Sequence, residues 1–244
     1  MALKATFRFG DQRSYSAPDL APATPFIAIG DVHGRYDLLA PLLDRALSFN
    51  ESVVLLGDYI DHGPDSASVL DLVHQATQTG KVIALRGNHE DFLLRYLVQP
   101  RVLTQRFFAL GGEATLASYG ITRTMPVPGP REMSRMRNEL REKLGTLEDW
   151  LKNLPYVHQT GNVIALHAGA DPSTPIEDQF APSFCWGHPF FRKKARSDGH
   201  WVIHGHDPVE SITVKSRRIA LDTQAYRTGQ LSAVRVQPGL IELF

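Results

Sequence analysis

Carboxylate, imidazole and carboxamide side chains gather in three short strings, Gly30-Asp31-Val32-His33-Gly34, Gly57-Asp58-Tyr59-Ile60-Asp61-His62-Gly63 and Gly87-Asn88-His89-Glu90. Two later strings follow the same rule, His167-Ala168-Gly169 and His204-Gly205-His206. A mixture of oxygen and imidazole donors is a set for divalent transition metals. Asp31, His33, Asp58, Asn88, His167 and His206 are the candidate ligands. They are too many for one tetrahedral zinc, but they suit two metals sharing a carboxylate. Each string alone has a bland reading: Gly-Asp-x-His-Gly is more often a plain turn, and His167 could equally cap a strand. Five in order, each at the end of an apolar run, make coincidence a poor account.

Those apolar runs are the elements that must position the donors. Phe26 to Ile29, Val53 to Leu56 and Val82 to Leu85 precede the first three strings. Each is too short for a free-standing helix and reads as a buried strand. Asp31, Asp58 and Asn88 stand roughly 30 residues apart, about one strand–helix–strand unit. Repeated parallel strands bring their C-terminal ends to one sheet edge, so Asp31, His33, Asp58, Asn88 and His89 should meet there.

Between the strands, Leu39, Leu42, Leu43, Ala46 and Leu47 recur at helical spacing, and Pro41 is tolerable only early in that helix. Asp65 is the expected N-cap of a second helix carrying Val69, Leu70, Leu72 and Val73, which Gly80 ends. A third starts near His89, carries Phe92, Leu93, Tyr96 and Leu97, and stops at Pro100. Residues 101–154 break the alternation and read as a helical insert within a single domain spanning 1–244. Shaping substrate access and plain packing are both open for it. The charged stretch from Arg131 to Leu144 reads as a solvated face. Tyr156 to Leu166 predicts a hairpin, 171–200 a loop-rich stretch, and Trp201 to His204 a strand. Arg218 to Leu221 and Leu231 to Val236 predict two more strands with a turn at Thr228-Gly229. Residues 1–10 are expected to form an edge strand, and 14–25 a loop.

The 244 residues carry 26 basic and 26 acidic side chains. That balance gives no footprint for nucleic acid or for an anionic membrane surface. No apolar run approaches the ~20 residues needed to cross a bilayer. Cys185 is the sole cysteine, so no intramolecular disulfide forms, which fits a reducing compartment. The start of the chain lacks the apolar core of a secretory signal, and cytoplasm is the expected location.

Taken together, the strings resemble the calcineurin-like metallophosphoesterases of the PPP type, with their GDxHG, GDxxDRG and GNHE motifs followed by two histidine motifs. The bacterial serine/threonine-phosphatase-like and diadenosine-tetraphosphatase-like branches look most similar. Leu85 to Glu90, Ala165 to Gly169, Val202 to His206 and Leu221 to Gly229 carry the likeness, which spans about residues 26–234. The resemblance implies an α/β fold, a layered β-sandwich flanked by helices, with a dinuclear metal site at the strand C-terminal ends. It makes Asp31 and His33 ligands of one metal and Asp58 the bridge to a second held by Asn88, His167 and His206. Manganese is the expected metal, with iron, zinc, cobalt or nickel as alternatives. It further implies in-line attack on phosphorus by a metal-activated hydroxide, without a phosphoenzyme. His89 would protonate the leaving oxygen and Asp61 would keep its imidazole oriented and cationic.

Two positions depart from the family pattern. His62 stands where GDxxDRG has arginine, and His188 stands where a later arginine is expected. Arginine grips phosphate with a two-pronged fork, whereas histidine offers at most one donor. Monoester turnover is therefore expected to be weak or acid-shifted, with a diester or anhydride preferred. Arg192 or Arg196 could compensate. Arg86 and Tyr226 are further substrate-contact candidates, with structural roles open for both; His204 either touches the site or packs. Asp207 and Gln224 are smaller departures.

Three functions follow. The first is a two-metal phosphomonoesterase resembling serine/threonine protein phosphatases, acting on a phosphorylated protein or a small phosphoester. The second hydrolyses dinucleoside polyphosphates or phosphodiesters. The third is a catalytically silent, metal-binding phosphopeptide or regulatory module, disfavoured because His89 and Asp61 would then be idle.

Overall fold

Strand Phe26–Ile29 is buried along its whole length. Successive strand side chains face opposite ways, so a strand apolar on both faces must be covered on both. Phe26 and Ala28 join Val54, Leu56 and Leu85 in a core shared with Val163, Ala165, Trp201 and Ile203. Ile27 and Ile29 join Val53 and Leu55 in another core, with Leu39, Leu43, Val69, Leu70 and Val73 from helices. One core is therefore sheet on sheet, and the other is helix on sheet. A smaller cluster of Ile164, Leu166, Val202, Phe184 and Phe191 covers the outer face of the second sheet.

The computed structural model describes residues 7–8 and 14–244. Its first strands are β1 (Phe7–Arg8), β2 (Ser14–Ser16), β3 (Phe26–Ile29), β4 (Ser52–Leu55), β5 (Val82–Ala84) and β6 (Val157–Thr160). β7 (Val163–Leu166), β8 (Trp201–His204), β9 (Thr213–Lys215), β10 (Arg218–Ala220), β11 (Ala233–Gln237) and β12 (Leu240–Leu243) follow. The helices are α1 (Tyr36–Leu47), α2 (Ser66–Thr77), α3 (Asn88–Val98), α4 (Pro100–Ala109) and α5 (Gly112–Ser118). Then come α6 (Pro130–Leu144), α7 (Leu147–Lys152), α8 (Ser183–Trp186) and α9 (Ala225–Thr228).

Two six-stranded sheets form, in the orders β2-β12-β11-β3-β4-β5 and β1-β9-β10-β8-β7-β6. β3, β4 and β5 run parallel in the first. β7, β8 and β10 run parallel in the second. The layered α/β sandwich is as expected, and the donors come from both sheets: the first three strings leave β3, β4 and β5, and the two histidine strings leave β7 and β8.

Several local expectations change. Part of 14–25 is strand, because Ser14–Ser16 pairs with β12 at the end of the first sheet. Phe7–Arg8 pairs with β9 at a sheet edge; the remainder of the 1–10 expectation lies outside the described residues. Pro41 falls past the first turn of α1 and is exposed. Asp65 precedes α2 but makes no side-chain cap bond. Pro100 ends α3 by starting α4, where its missing N–H is no loss. Helix α8 interrupts the loop-rich stretch, and α9 replaces the turn at Thr228-Gly229. Among the described residues no helix is long and apolar enough to cross a membrane.

Candidate metal centre

The donors leave their strands in strained turns. His33, Asp58, Asp61, His62 and His206 all carry positive φ, from 45° to 70°. Left-handed backbone at a non-glycine residue costs about 1–3 kcal/mol and persists only where the surroundings hold it. Glu90 is one such hold: its buried carboxylate accepts from the N–H groups of Asp58, Tyr59 and Gly87 at 2.7–2.9 Å. Glycine is required at two close approaches. A Cβ on Gly87 would lie 2.1 Å from Asp58 Oδ1, and one on Gly205 would lie 1.8 Å from Asp31 Oδ1.

The turns bring all six candidate ligands together. Asp31, His33 and Asp58 present donor atoms within 4.8 Å of one another, as do Asp58, His167 and His206. Asp58 belongs to both sets. Its Oδ2 lies 3.5 Å from His33 Nε2, and its Oδ1 lies 3.4 Å from His167 Nε2. Asn88 Oδ1 lies 2.8 Å from both His167 Nε2 and His206 Nδ1. The Nδ1–H groups of His33 and His167 donate to the Ile60 and Leu56 carbonyls, which leaves each Nε2 turned to the cluster.

The electrostatics are those of a compact charged cluster. Burial and then the Asp222 carboxylate push Asp31 well above the ordinary carboxylate range. Burial also favours the neutral form of Asp58, but His167, His89 and His33 together outweigh it and hold Asp58 well below that range. His167 rises to about 10 against its own burial, chiefly through Asp58. Buried His33 falls to about 3. A divalent cation fits this set. The donors are carboxylate, carboxamide and imidazole, and Asp31 Oδ1 is buried with no hydrogen-bond partner.

His89 stands beside the cluster, with Nε2 at 3.8 Å from Asp58 Oδ2. Its Nδ1–H donates to Asp61 Oδ2 at 2.7 Å. Burial lowers the His89 pKa, yet Asp58 and Asp61 overcome it and raise it to about 9. Sequence reasoning missed what holds Asp61. Thr115 Oγ1, on α5, donates to Asp61 Oδ1 at 2.5 Å and accepts the Asp61 N–H at 2.9 Å. Ser66 Oγ also lies within reach of that N–H, at 3.1 Å. Glu90 was visible within its motif, but nothing near Thr115 marks it.

The outer candidates divide. His62 is exposed, and its ring stacks on Tyr226 at 4.4 Å, 14° from parallel. Its centroid lies 4.9 Å from that of His33 and 5.3 Å from that of His89. His33, His62 and His89 thus form a third, all-imidazole grouping. His188 is not among the grouped ligand atoms; it lines a cavity of about 420 Å³ with Ala168, Trp186, Arg192, His206 and Asp207. Arg86, for which the sequence leaves substrate contact and a structural role both open, makes structural bonds. It donates to the Tyr156 hydroxyl and the Lys152 carbonyl and lies over the Tyr156 ring. His204 is buried edge-on to Phe191, with its Nδ1 on the Gly205 carbonyl.

A family model described as calcineurin-like phosphoesterase matches residues 24–210. The chain belongs to this family. It is a metal-dependent phosphoric ester hydrolase, and divalent metal is its cofactor. Bis(5'-nucleosyl)-tetraphosphatase PrpE (asymmetrical) of Oceanobacillus iheyensis is 29% identical over 234 residues, covering 85% of this chain and 86% of that protein. The symmetrical bis(5'-nucleosyl)-tetraphosphatase of Nitrosospira multiformis is 28% identical over 209 residues, covering 80% and 66%. A solved structure of a candidate diadenosine tetraphosphatase superposes with a TM-score of 0.61 at 22% identity, over 94% of this calcineurin-like chain and 98% of that one. That likeness shows the fold.

Proposed function

We propose that this chain hydrolyses the phosphoanhydride bonds of dinucleoside polyphosphates. The observation that carries the substrate class is the near full-length match to a bis(5'-nucleosyl)-tetraphosphatase, over 85% of this chain. It supports the anhydride reading over the phosphoprotein one. His62 supports it too. An imidazole in place of a guanidinium fork suits a phosphorus with fewer free charges, as inside an anhydride chain, better than a terminal monoester.

Asp31 and His33 would hold one divalent ion and Asn88, His167 and His206 another, with Asp58 shared. Two such ions supply Lewis acidity at phosphoryl oxygens and lower the pKa of water. Manganese is the metal we propose, and cytoplasm the location, in keeping with the single buried cysteine. The chain's own residues then orient and move protons. Asp61 accepts the Nδ1–H of His89 and so fixes the ring with Nε2 toward the cluster. From there Nε2 hands its proton to the departing oxygen. His62 and Tyr226, stacked beside His33, form the wall that a bound phosphate chain meets first.

The test is a comparison of kcat/KM in MnCl2 on bis(5'-adenosyl) tetraphosphate, p-nitrophenyl phosphate, its bis-ester and a phosphothreonine peptide. The tetraphosphate is expected to rank first. Product chromatography separates asymmetrical cleavage, a triphosphate plus a monophosphate, from symmetrical cleavage into two diphosphates. A peptide that outranks the tetraphosphate overturns the proposal.

A further inference from the structure

Four of the described arginines around the centre are occupied by other partners. Arg35 is held by Asp37 and the Ala225 carbonyl. Arg86 is taken by Tyr156 and Lys152. Arg196, a candidate to replace the missing family arginines, is tied to Asp198 and to the Asp171 and Thr174 carbonyls. Arg218 lies over Phe191 and donates to the Lys194 and Arg192 carbonyls.

Arg192 differs from all of these. Its side chain is 75% exposed, and the carboxylate it faces, Asp207, is 3.5 Å away, long for an ion pair. Its backbone is anchored nonetheless. Neighbouring Phe191 is buried, the Phe191 N–H donates to the His188 carbonyl at 2.9 Å, and Arg218 reaches the Arg192 carbonyl. A permanently charged fork on a fixed stem, with one loose partner, is available to an incoming anion.

The place it faces adjoins the metal centre. Arg192, His188, Trp186 and Asp207 line the cavity of about 420 Å³, and His206 forms part of the same wall. The His188 ring adds a donor: its Nδ1 accepts the Phe190 N–H at 3.4 Å, which leaves Nε2–H to donate.

We propose that this cavity is the subsite for the phosphates beyond the one attacked, with Arg192 gripping them and Asp207 standing as its counter-ion until they arrive. The inference deepens the anhydride reading and rests on it for the identity of the chain of phosphates. It assigns the work of the missing family arginines to a different place. The grip moves from the attacked phosphorus to its neighbours, which a monoester lacks. Asp207, next to His206, then penalises anions too short to displace it from Arg192.

The test uses the full chain with MnCl2 kept in excess over nucleotide. Calorimetry measures the affinity for ATP and for AMP in the wild type, Arg192→Ala, Arg192→Lys and Asp207→Asn. Wild type is expected to prefer ATP by about 10-fold or more, the span of one or two charge-assisted hydrogen bonds. Arg192→Ala brings the ATP/AMP ratio close to one, Arg192→Lys falls between, and Asp207→Asn narrows the ratio by strengthening AMP. With bis(5'-adenosyl) tetraphosphate, Arg192→Ala raises KM more than it lowers kcat. A ratio in Arg192→Ala within twofold of wild type overturns the subsite, as does a wild type that does not prefer ATP. The two proposals fail separately. A wild type that prefers ATP through Arg192 but leaves the tetraphosphate intact removes the substrate and keeps the subsite. Cleavage of the tetraphosphate with an unchanged ratio removes the subsite and keeps the substrate.

Discussion

The floor and the rim of this site are built in opposite ways. The floor, from Asp31 through His167, is buried, and its loops touch at distances only glycine permits. Its backbone is strained at His33 and Asp58, and His33, Asp58 and His167 are each fixed by a further bond to a carbonyl or from an N–H. The rim, from His62 through Arg192, is exposed and held by ring stacking or a long ion pair. A floor so constrained admits few side chains, because any change meets a neighbour within van der Waals distance. A rim on solvent can change at little cost in stability. The proposed metal chemistry thus falls to the floor and the proposed choice of substrate to the rim.

The contrast breaks most visibly at Asp58. Asp58→Asn removes the one carboxylate common to both donor groups and leaves His33 and His167 facing a neutral amide. Hydrolysis is expected to fall to background on every substrate, with bound metal, measured by elemental analysis, falling from about two ions per chain. Retained activity at full metal content would sink the shared role. Next in size is His89→Ala, which leaves the donor set whole. It should lower kcat by about 10²–10⁴-fold at unchanged metal content. The loss should be largest for alkyl leaving groups and smaller for p-nitrophenol, which departs without a proton. Equal loss for both would show that His89 does not act as the acid.

Thr115→Val tests whether the floor extends into the helical block. Removing the hydroxyl strips Asp61 Oδ1 of its short hydrogen bond. An unsatisfied buried acceptor costs about 1–3 kcal/mol. The urea midpoint should fall accordingly, and kcat should drop several-fold as His89 loses its fixed partner. A midpoint shift without any change in kcat would make Thr115 a packing residue alone.

Much of the floor was legible because its signals are local. A strand, a donor and a glycine turn sit next to one another in sequence, and two residue periods give the strands and the helices around them. Asp31, His33, Asp58, Asn88, His167 and His206 all announce themselves that way. The outer strands were harder. β9 in the second sheet and β12 and β2 in the first are short pieces, and the β1–β9 and β2–β12 pairings join residues far apart in the chain. Thr115 was invisible for the same reason: its hydrogen bond to Asp61 joins residues with no sequence pattern in common. Arg86 shows the converse. It stands within a motif, yet the side chain turns to Tyr156 and Lys152, a choice made by packing.

The smallest expected effect lies at the rim. His62→Arg restores the family's fork at an exposed position beside Tyr226. Stability should change little, since a guanidinium can stack on the tyrosine as the imidazole does. A Cβ on Gly111 would lie only 2.7 Å from His62 Nδ1, so the side chain at 62 rests against a glycine, and a longer one is expected to extend past it toward substrate. There it offers two donors to a terminal phosphate. The ratio of kcat/KM for p-nitrophenyl phosphate over its bis-ester should rise several-fold, with metal content and the urea midpoint unmoved. An unchanged ratio would mean that substrate choice is not made at residue 62. It would then fall to the cavity around Arg192, the other part of the rim with a charged group available to substrate.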